Sequence, residues 1–95
     1  MNYVLTLDAL ADLEEIGTFL AEEYPAIAPA VEMEFRRIFA LVVEFPKLGR
    51  PTPREGVREV AVGRYPYLVI FRKKDEQIEI IRIFHTSRNP KTKMR

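Results

Sequence analysis

The sequence predicts a two-layer α+β fold: an N-terminal strand and an antiparallel α-helical hairpin packed on a mainly antiparallel four-stranded sheet. Three observations predict it. Apolar residues recur at steps of three and four through the first half of the chain. A proline- and glycine-rich stretch then interrupts the pattern. Beyond it lie three runs of β-branched and aromatic residues, separated by short polar turns.

Taken in order, Asn2 to Leu7 holds Tyr3, Val4, Leu5 and Leu7 and suits a short strand. Thr6 or Asp8 can cap the following helix, because each side-chain oxygen can accept from a free amide of the first turn. Leu10, Leu13, Ile16, Leu20 and Tyr24 then form one stripe of an amphipathic helix, with Asp12, Glu15 and Glu22 on the opposite face. Gly17 costs about 1 kcal/mol against alanine in a helix and suggests close packing of a second one. Pro25 and Pro29 bracket a turn. Ile27, Val31, Phe35, Ile38, Val42 and Phe45 mark the second helix, which is expected to run to about Glu44. So few residues join the two helices that they must lie antiparallel.

Pro46 ends the second helix. Residues 46–56 contain three of the seven prolines and two of the four glycines, and read as a structured loop. Three strands follow: Val57 to Val62, Tyr67 to Arg72, and Gln77 to His85. Gly63-Arg64 and Lys73-Lys74-Asp75-Glu76 form the turns between them. One domain over residues 1–95 is expected, a size that can bury its own core.

Composition excludes several classes. The chain has no cysteine, so disulfides and thiolate metal sites are out, and a cytoplasmic location is expected. No apolar run reaches the roughly 18 residues of a membrane span. One histidine leaves only carboxylates as further metal ligands, and no cofactor or metal is expected. Ser87, the only serine, lies two residues from His85 without a nucleophile elbow, and no Gly-rich phosphate loop is present. Charge is segregated: residues 1–45 carry nine acidic and two basic side chains, residues 46–95 five acidic and thirteen basic. Such polarity either presents a basic surface or is neutralised between the halves of the fold.

The last strand ends in Ile80-Ile81-Arg82-Ile83-Phe84-His85-Thr86-Ser87-Arg88. A period of two places Ile78, Ile80, Arg82 and Phe84 on one face and Ile81, Ile83 and His85 on the other. Arginines recur at 50, 54, 58, 64, 72, 82 and 88, and their planar donor forks suit phosphates and carboxylates. A metal-independent ribonuclease needs an acid–base group and cations around the phosphorane. His85 with Arg88, Arg82 and Arg58 are the candidates for those roles. Each of them is also an ordinary hydrogen-bonded or ion-paired rim residue. Met33, Leu41 and Val43 are apolar residues off the main stripe of the second helix, and they extend the core or form a docking surface.

Three stretches, with the His-x-x-Arg ending, carry a resemblance over nearly the whole chain. They are Ala9-Leu10-Ala11-Asp12-Leu13-Glu14-Glu15-Ile16, Phe45-Pro46-Lys47-Leu48-Gly49-Arg50-Pro51, and Tyr67 to Arg72 followed by Ile80 to His85 and Arg88. In this order they resemble the RelE/ParE toxin superfamily, and more closely its ParE-like branch. The resemblance implies a bacterial toxin of a type II toxin–antitoxin system, of the kind linked to plasmid stabilisation. It implies inhibition of DNA gyrase by binding, and silencing by a cognate antitoxin, ParD-like or other, in a hetero-oligomer. The alternatives are a RelE-like ribosome-dependent mRNA endonuclease, or a chain that retains only antitoxin binding; direct nucleic-acid binding stays open. In RelE-like members the middle-strand cations fall near Glu59, Ala61 and Leu68 of this sequence, which cannot supply them. Arg50, Arg58, Arg82, His85 and Arg88 are the expected target-binding residues, and Leu20, Met33, Leu41 and Phe84 the expected antitoxin-binding residues.

Overall fold

A computed structural model of the chain describes residues 1–87. Strand β1 (Asn2–Leu5) leads into helix α1 (Leu7–Glu23) and helix α2 (Ala28–Glu44). Strands β2 (Arg50–Pro51), β3 (Val57–Ala61), β4 (Tyr67–Lys74) and β5 (Gln77–His85) follow. The sheet order is β1-β5-β4-β3-β2. β1 runs parallel to β5, and the other neighbours are antiparallel. The expected two layers are present, with one strand more than the sequence predicts. Residues 46–56 are not all loop: Arg50 and Pro51 pair with Glu59 and Arg58 as a two-residue edge strand. Gly49 makes this return possible. Its φ is +77°, and a Cβ there would collide with the Glu59 carbonyl.

Of the two candidate caps, Thr6 performs the role. Its Oγ1 accepts from the Ala9 N–H at 3.0 Å and donates to the Ile81 carbonyl at 2.8 Å. One side chain thus starts α1 and ties it to β5. α2 starts without a side-chain cap. Pro29 occupies its first turn, where a missing N–H costs nothing.

Between the layers, Ile16 and Leu20 of α1 and Val31, Phe35, Ile38, Phe39 and Val42 of α2 meet Val69, Phe71, Ile78, Ile80 and Ile83. Phe35 sits 5.4 Å from the Tyr67 ring and 6.1 Å from Phe39, and Phe39 lies 5.2 Å from Tyr3. Tilted ring pairs of this kind add about 0.5–1.5 kcal/mol each beyond area burial. The core stripe of α1 is narrower than its periodicity suggests: Leu13 is half-buried, and Leu10 and Tyr24 are exposed. Gly17 does not serve helix packing either. A Cβ built on it meets no atom within 4 Å, and Gly17 lines an open groove between the helices.

The strict alternation expected along β5 fails at one residue. Phe71 pairs with Ile80 and Ile70 with Arg82, so Ile81 is an extra residue, a β-bulge. Ile83 therefore joins Ile78 and Ile80 in the main core. Ile81 and Phe84 instead pack with Val57, Leu68 and Ile70 in a second cluster on the sheet's outer face.

Candidate functional site

The strand register decides which of the expected site residues can act together. Arg50, Glu59, Ile70 and Arg82 are successive cross-strand partners and form one row of the outer face. Three strand spacings separate Arg50 from Arg82, about 14 Å between Cα atoms. Ala61, Leu68 and Phe84 form the next row. Arg58 and His85 pair instead with Phe71 and Tyr67, which face the helices. The four described members of the expected target-binding set are thus split over both faces of the sheet. Arg88 lies outside the described residues.

Each described member of that set has an intramolecular role. The Arg50 Nε donates to Glu59 Oε1 at 2.6 Å, while Glu59 is only 7% exposed. Arg58 reaches back along the chain: its Nε donates to the Leu48 carbonyl at 3.2 Å. Its Nη2 donates to the carbonyls of Lys47 at 2.8 Å and Gly49 at 3.1 Å. That is a staple for the loop carrying Leu48, whose side chain packs against the main core. The Nδ1 of His85 accepts from the Ser87 N–H at 3.2 Å, and its ring stands edge-on to Tyr67 at 5.3 Å. One ring nitrogen is therefore an acceptor, and the imidazole closes the end of the core.

Arg82 is the most constrained. Its Nε and Nη2 donate to Asp12 Oδ2 at 2.9 Å and Oδ1 at 3.1 Å. Asp12 Oδ2 also accepts the backbone N–H of Ile83 at 2.8 Å. The hydrogen bonds to Asp12 raise the guanidinium above its ordinary pKa. Partial burial opposes them, and the charges of Asp12, Asp8 and Glu15 add to the rise. The guanidinium carbon also lies 4.9 Å from the centre of the Phe84 ring. Nothing local to Asp12 marks it as a partner, since its place on the first helix reads as solvent-facing.

The expected antitoxin contacts do not form one patch. Leu20 is buried, Leu41 is half-buried against the core, and Phe84 lies on the outer face beneath Arg82. Met33 stands free on α2, 71% exposed. Leu20 alone of the four lines an apolar groove of about 630 Å³ between the two helices. Tyr3, Leu5, Leu10, Leu13, Val31 and Phe39 also line it, and Gly17 and Ala21 make its wall low. The helical period places Leu10 and Leu13 in the core; Leu13 does pack against it while also lining the groove, and Leu10 is left exposed. The one local signal is Gly17, a helix-weakening residue on the same flank of α1.

Among the described residues no group of three His, Asp or Glu side chains could hold a metal ion. None of their helices is long and apolar enough to cross a membrane.

Comparison with known proteins fits this architecture. Residues 3–90 match the family model of the ParE toxin of the type II toxin–antitoxin system parDE. The chain is 30% identical over 80 residues to the candidate toxin Y4kP of Sinorhizobium fredii, covering 84% of this chain and 82% of that protein. It is 32% identical over 91 residues to toxin ParE1 of Caulobacter vibrioides, covering 92% and 91%. A solved structure of a chromosomal ParDE toxin–antitoxin system from P. aeruginosa superposes with a TM-score of 0.78 at 28% identity, covering 90% of this chain and 95% of that one. With the same helical hairpin and sheet, and a family match over nearly its whole length, the chain belongs to the ParE toxin family of type II toxin–antitoxin systems.

Proposed function

We propose that this toxin acts in the cytoplasm by binding DNA gyrase rather than by cutting RNA, and that a cognate antitoxin silences it in a hetero-oligomer. The observation that carries the reading is the outer face of the sheet. Where a phosphoryl-transfer site needs converging cations, the row Ala61–Leu68–Phe84 is apolar and the adjacent row holds the buried carboxylate of Glu59. Arg58 and Arg82 spend their donors on loop carbonyls and on Asp12. Such a surface can recognise a protein by shape and apolar contact, but its described residues offer no clamp for a pentacoordinate phosphate.

The antitoxin's seat on this reading is the groove between α1 and α2, whose lining is mostly apolar and so suits the ridge of an amphipathic segment. A segment that folds on docking would bury Leu10 and Leu13 and sterically block the hairpin.

The test is to express the toxin without its antitoxin and assay two reactions side by side. Supercoiling by purified gyrase is expected to fall while translated mRNA stays intact. Cut mRNA with unchanged supercoiling would refute the gyrase reading.

A further inference from the structure

Free positive charge is not spread evenly over the sheet. Lys73 and Lys74 sit beside Asp75 and Glu76, Arg72 is bonded to Glu79, and the Arg64 guanidinium lies 5.9 Å from the centre of the Tyr65 ring. The loop that carries β2 is different. Between Phe45 and Gly56 it holds Lys47, Arg50 and Arg54 against one carboxylate, Glu55. Lys47 and Arg54 are exposed, and their side chains bond no described residue. Among the described residues Arg50 gives its Nε to Glu59 alone, and 68% of its side chain is open to solvent. Phe45 is 52% exposed, and Pro51 and Pro53 stand exposed beside the cations. The loop is also braced. Arg58 holds three of its carbonyls. Thr52 Oγ1 accepts the Arg54 N–H at 3.2 Å and donates to the Val57 carbonyl at 2.9 Å. A braced loop gives up little freedom when a partner arrives.

We infer that the loop of residues 45–56 is the surface by which this toxin holds an acidic segment of a partner protein. On the reading above, that partner is gyrase, and the loop extends the outer face of the sheet through Arg50. Charge selects the occupant. Residues 1–45 carry nine acidic and two basic side chains, and both basic ones, Arg36 and Arg37, are bonded to Glu32 and Glu34. An acidic partner is therefore turned away from the helices and steered to this edge of the sheet. The Nη groups of Arg50 and Arg54 can donate to its carboxylates as planar forks, and Lys47 adds a point charge. A protein is favoured over nucleic acid. Glu55 stands among the cations and Glu59 lies beneath Arg50, while Phe45, Pro51 and Pro53 offer apolar contact that a phosphate backbone cannot use. The loop is also distant from the groove. β2 and β1 are opposite edges of the sheet, four strand spacings or about 19 Å apart, and no residue beyond Phe39 lines the groove.

The probe is a synthetic peptide of alternating glutamate and leucine, added to the intact chain, with its glutamine counterpart and a DNA duplex as controls. The acidic peptide is expected to shift the amide resonances of Leu48, Arg50 and Arg54 and to leave those of Leu10 and Leu13 in place. Its binding is expected to weaken as salt rises. The glutamine peptide is expected to bind about tenfold or more weakly. Lys47→Glu with Arg54→Glu is expected to weaken the acidic peptide, and gyrase itself, by a similar factor and to flatten the salt dependence, while the melting temperature stays unchanged. The milder pair Lys47→Gln with Arg54→Gln is expected to fall between, which separates lost recognition from lost folding. No binding by the acidic peptide overturns the inference. So do shifts confined to the groove, or charge reversal that leaves affinity unchanged. Duplex DNA bound more tightly than the peptide, and released by the same reversal, would give the loop to nucleic acid and also overturn it. Gyrase bound equally well by the chain and its charge-reversed variant would sink this inference and leave the gyrase reading standing. Peptide recognition through the loop by a chain that never binds gyrase would do the reverse.

Discussion

The two halves of β5 are completed in different ways. From Gln77 to Ile80 the strand has backbone neighbours on both sides, β4 and β1. From Ile81 to His85 it keeps β4, but β1 has ended and the chain has turned into α1. There side chains continue the ladder: Thr6 Oγ1 donates to the Ile81 carbonyl, and Asp12 accepts the Ile83 N–H. The first half is held by pairing spread over many residues. The second hangs on two side chains of one helix, so a point substitution can open it. The difference also fixes the helix. α1 is pinned to β5 by polar contacts along one flank, while its other flank lines the groove it shares with α2.

The largest effect tests the backbone-paired half. Ile80→Ala, at a fully buried position, is expected to cost about 2–5 kcal/mol in urea denaturation. The bridge to Asp12 should remain, because the ladder holding Ile80 does not depend on side chains. Asp12→Ala comes next, at about 2 kcal/mol, because it orphans the Ile83 N–H and the half-buried guanidinium together. Hydrogen exchange should quicken at Ile83 and not at Ile80. Equal quickening at both would show that the two halves open as one unit and erase the contrast. Thr6→Ala is expected to cost about 1 kcal/mol through the lost cap, and to loosen the start of α1 rather than its end.

The smallest effect lies on α2, away from β5. Hydrogen bonding to Arg37 lowers the pKa of Glu34, with desolvation opposing it and their charge attraction adding to it. A carboxyl whose folded pKa lies below its unfolded value stabilises the fold above the unfolded pKa. That contribution disappears as pH falls through the folded pKa. Glu34→Gln is therefore expected to flatten the acid limb of the stability curve slightly, since the pair is solvated and screened by salt. A steeper acid limb in the variant would contradict the assignment.

Much of the architecture was legible in the sequence because it rests on periodicity. Val31, Phe35, Ile38 and Val42, which step by three and four, are buried by α2 together with Phe39, which the stripe omitted, and the runs at 57, 67 and 77 are strands. Pairings distant in sequence were not legible. Nothing local marks Asp12 as the partner of Arg82, seventy residues away. Arg50 and Arg58 look alike as surface cations, yet one closes over Glu59 and the other threads its donors into a loop. The candidate site suffered most, because an arginine's role depends on which acceptor the fold brings to it. Leu10 shows the converse limit: it keeps the core period but lines the open groove between the helices, which only the tertiary arrangement reveals.

The bulge at Ile81 bears on how this chain is compared with its relatives. One inserted residue reverses the outlook of everything after it, so the C-terminal rim is displayed in a phase set by a single position. A relative that lacked the insertion could keep the same letters from Arg82 onward and turn each of them to the other face. Residue-by-residue transfer of roles across this strand is therefore meaningful only between proteins that share the extra residue. Gain or loss of that residue gives evolution a one-step route to a new recognition surface on an unchanged scaffold.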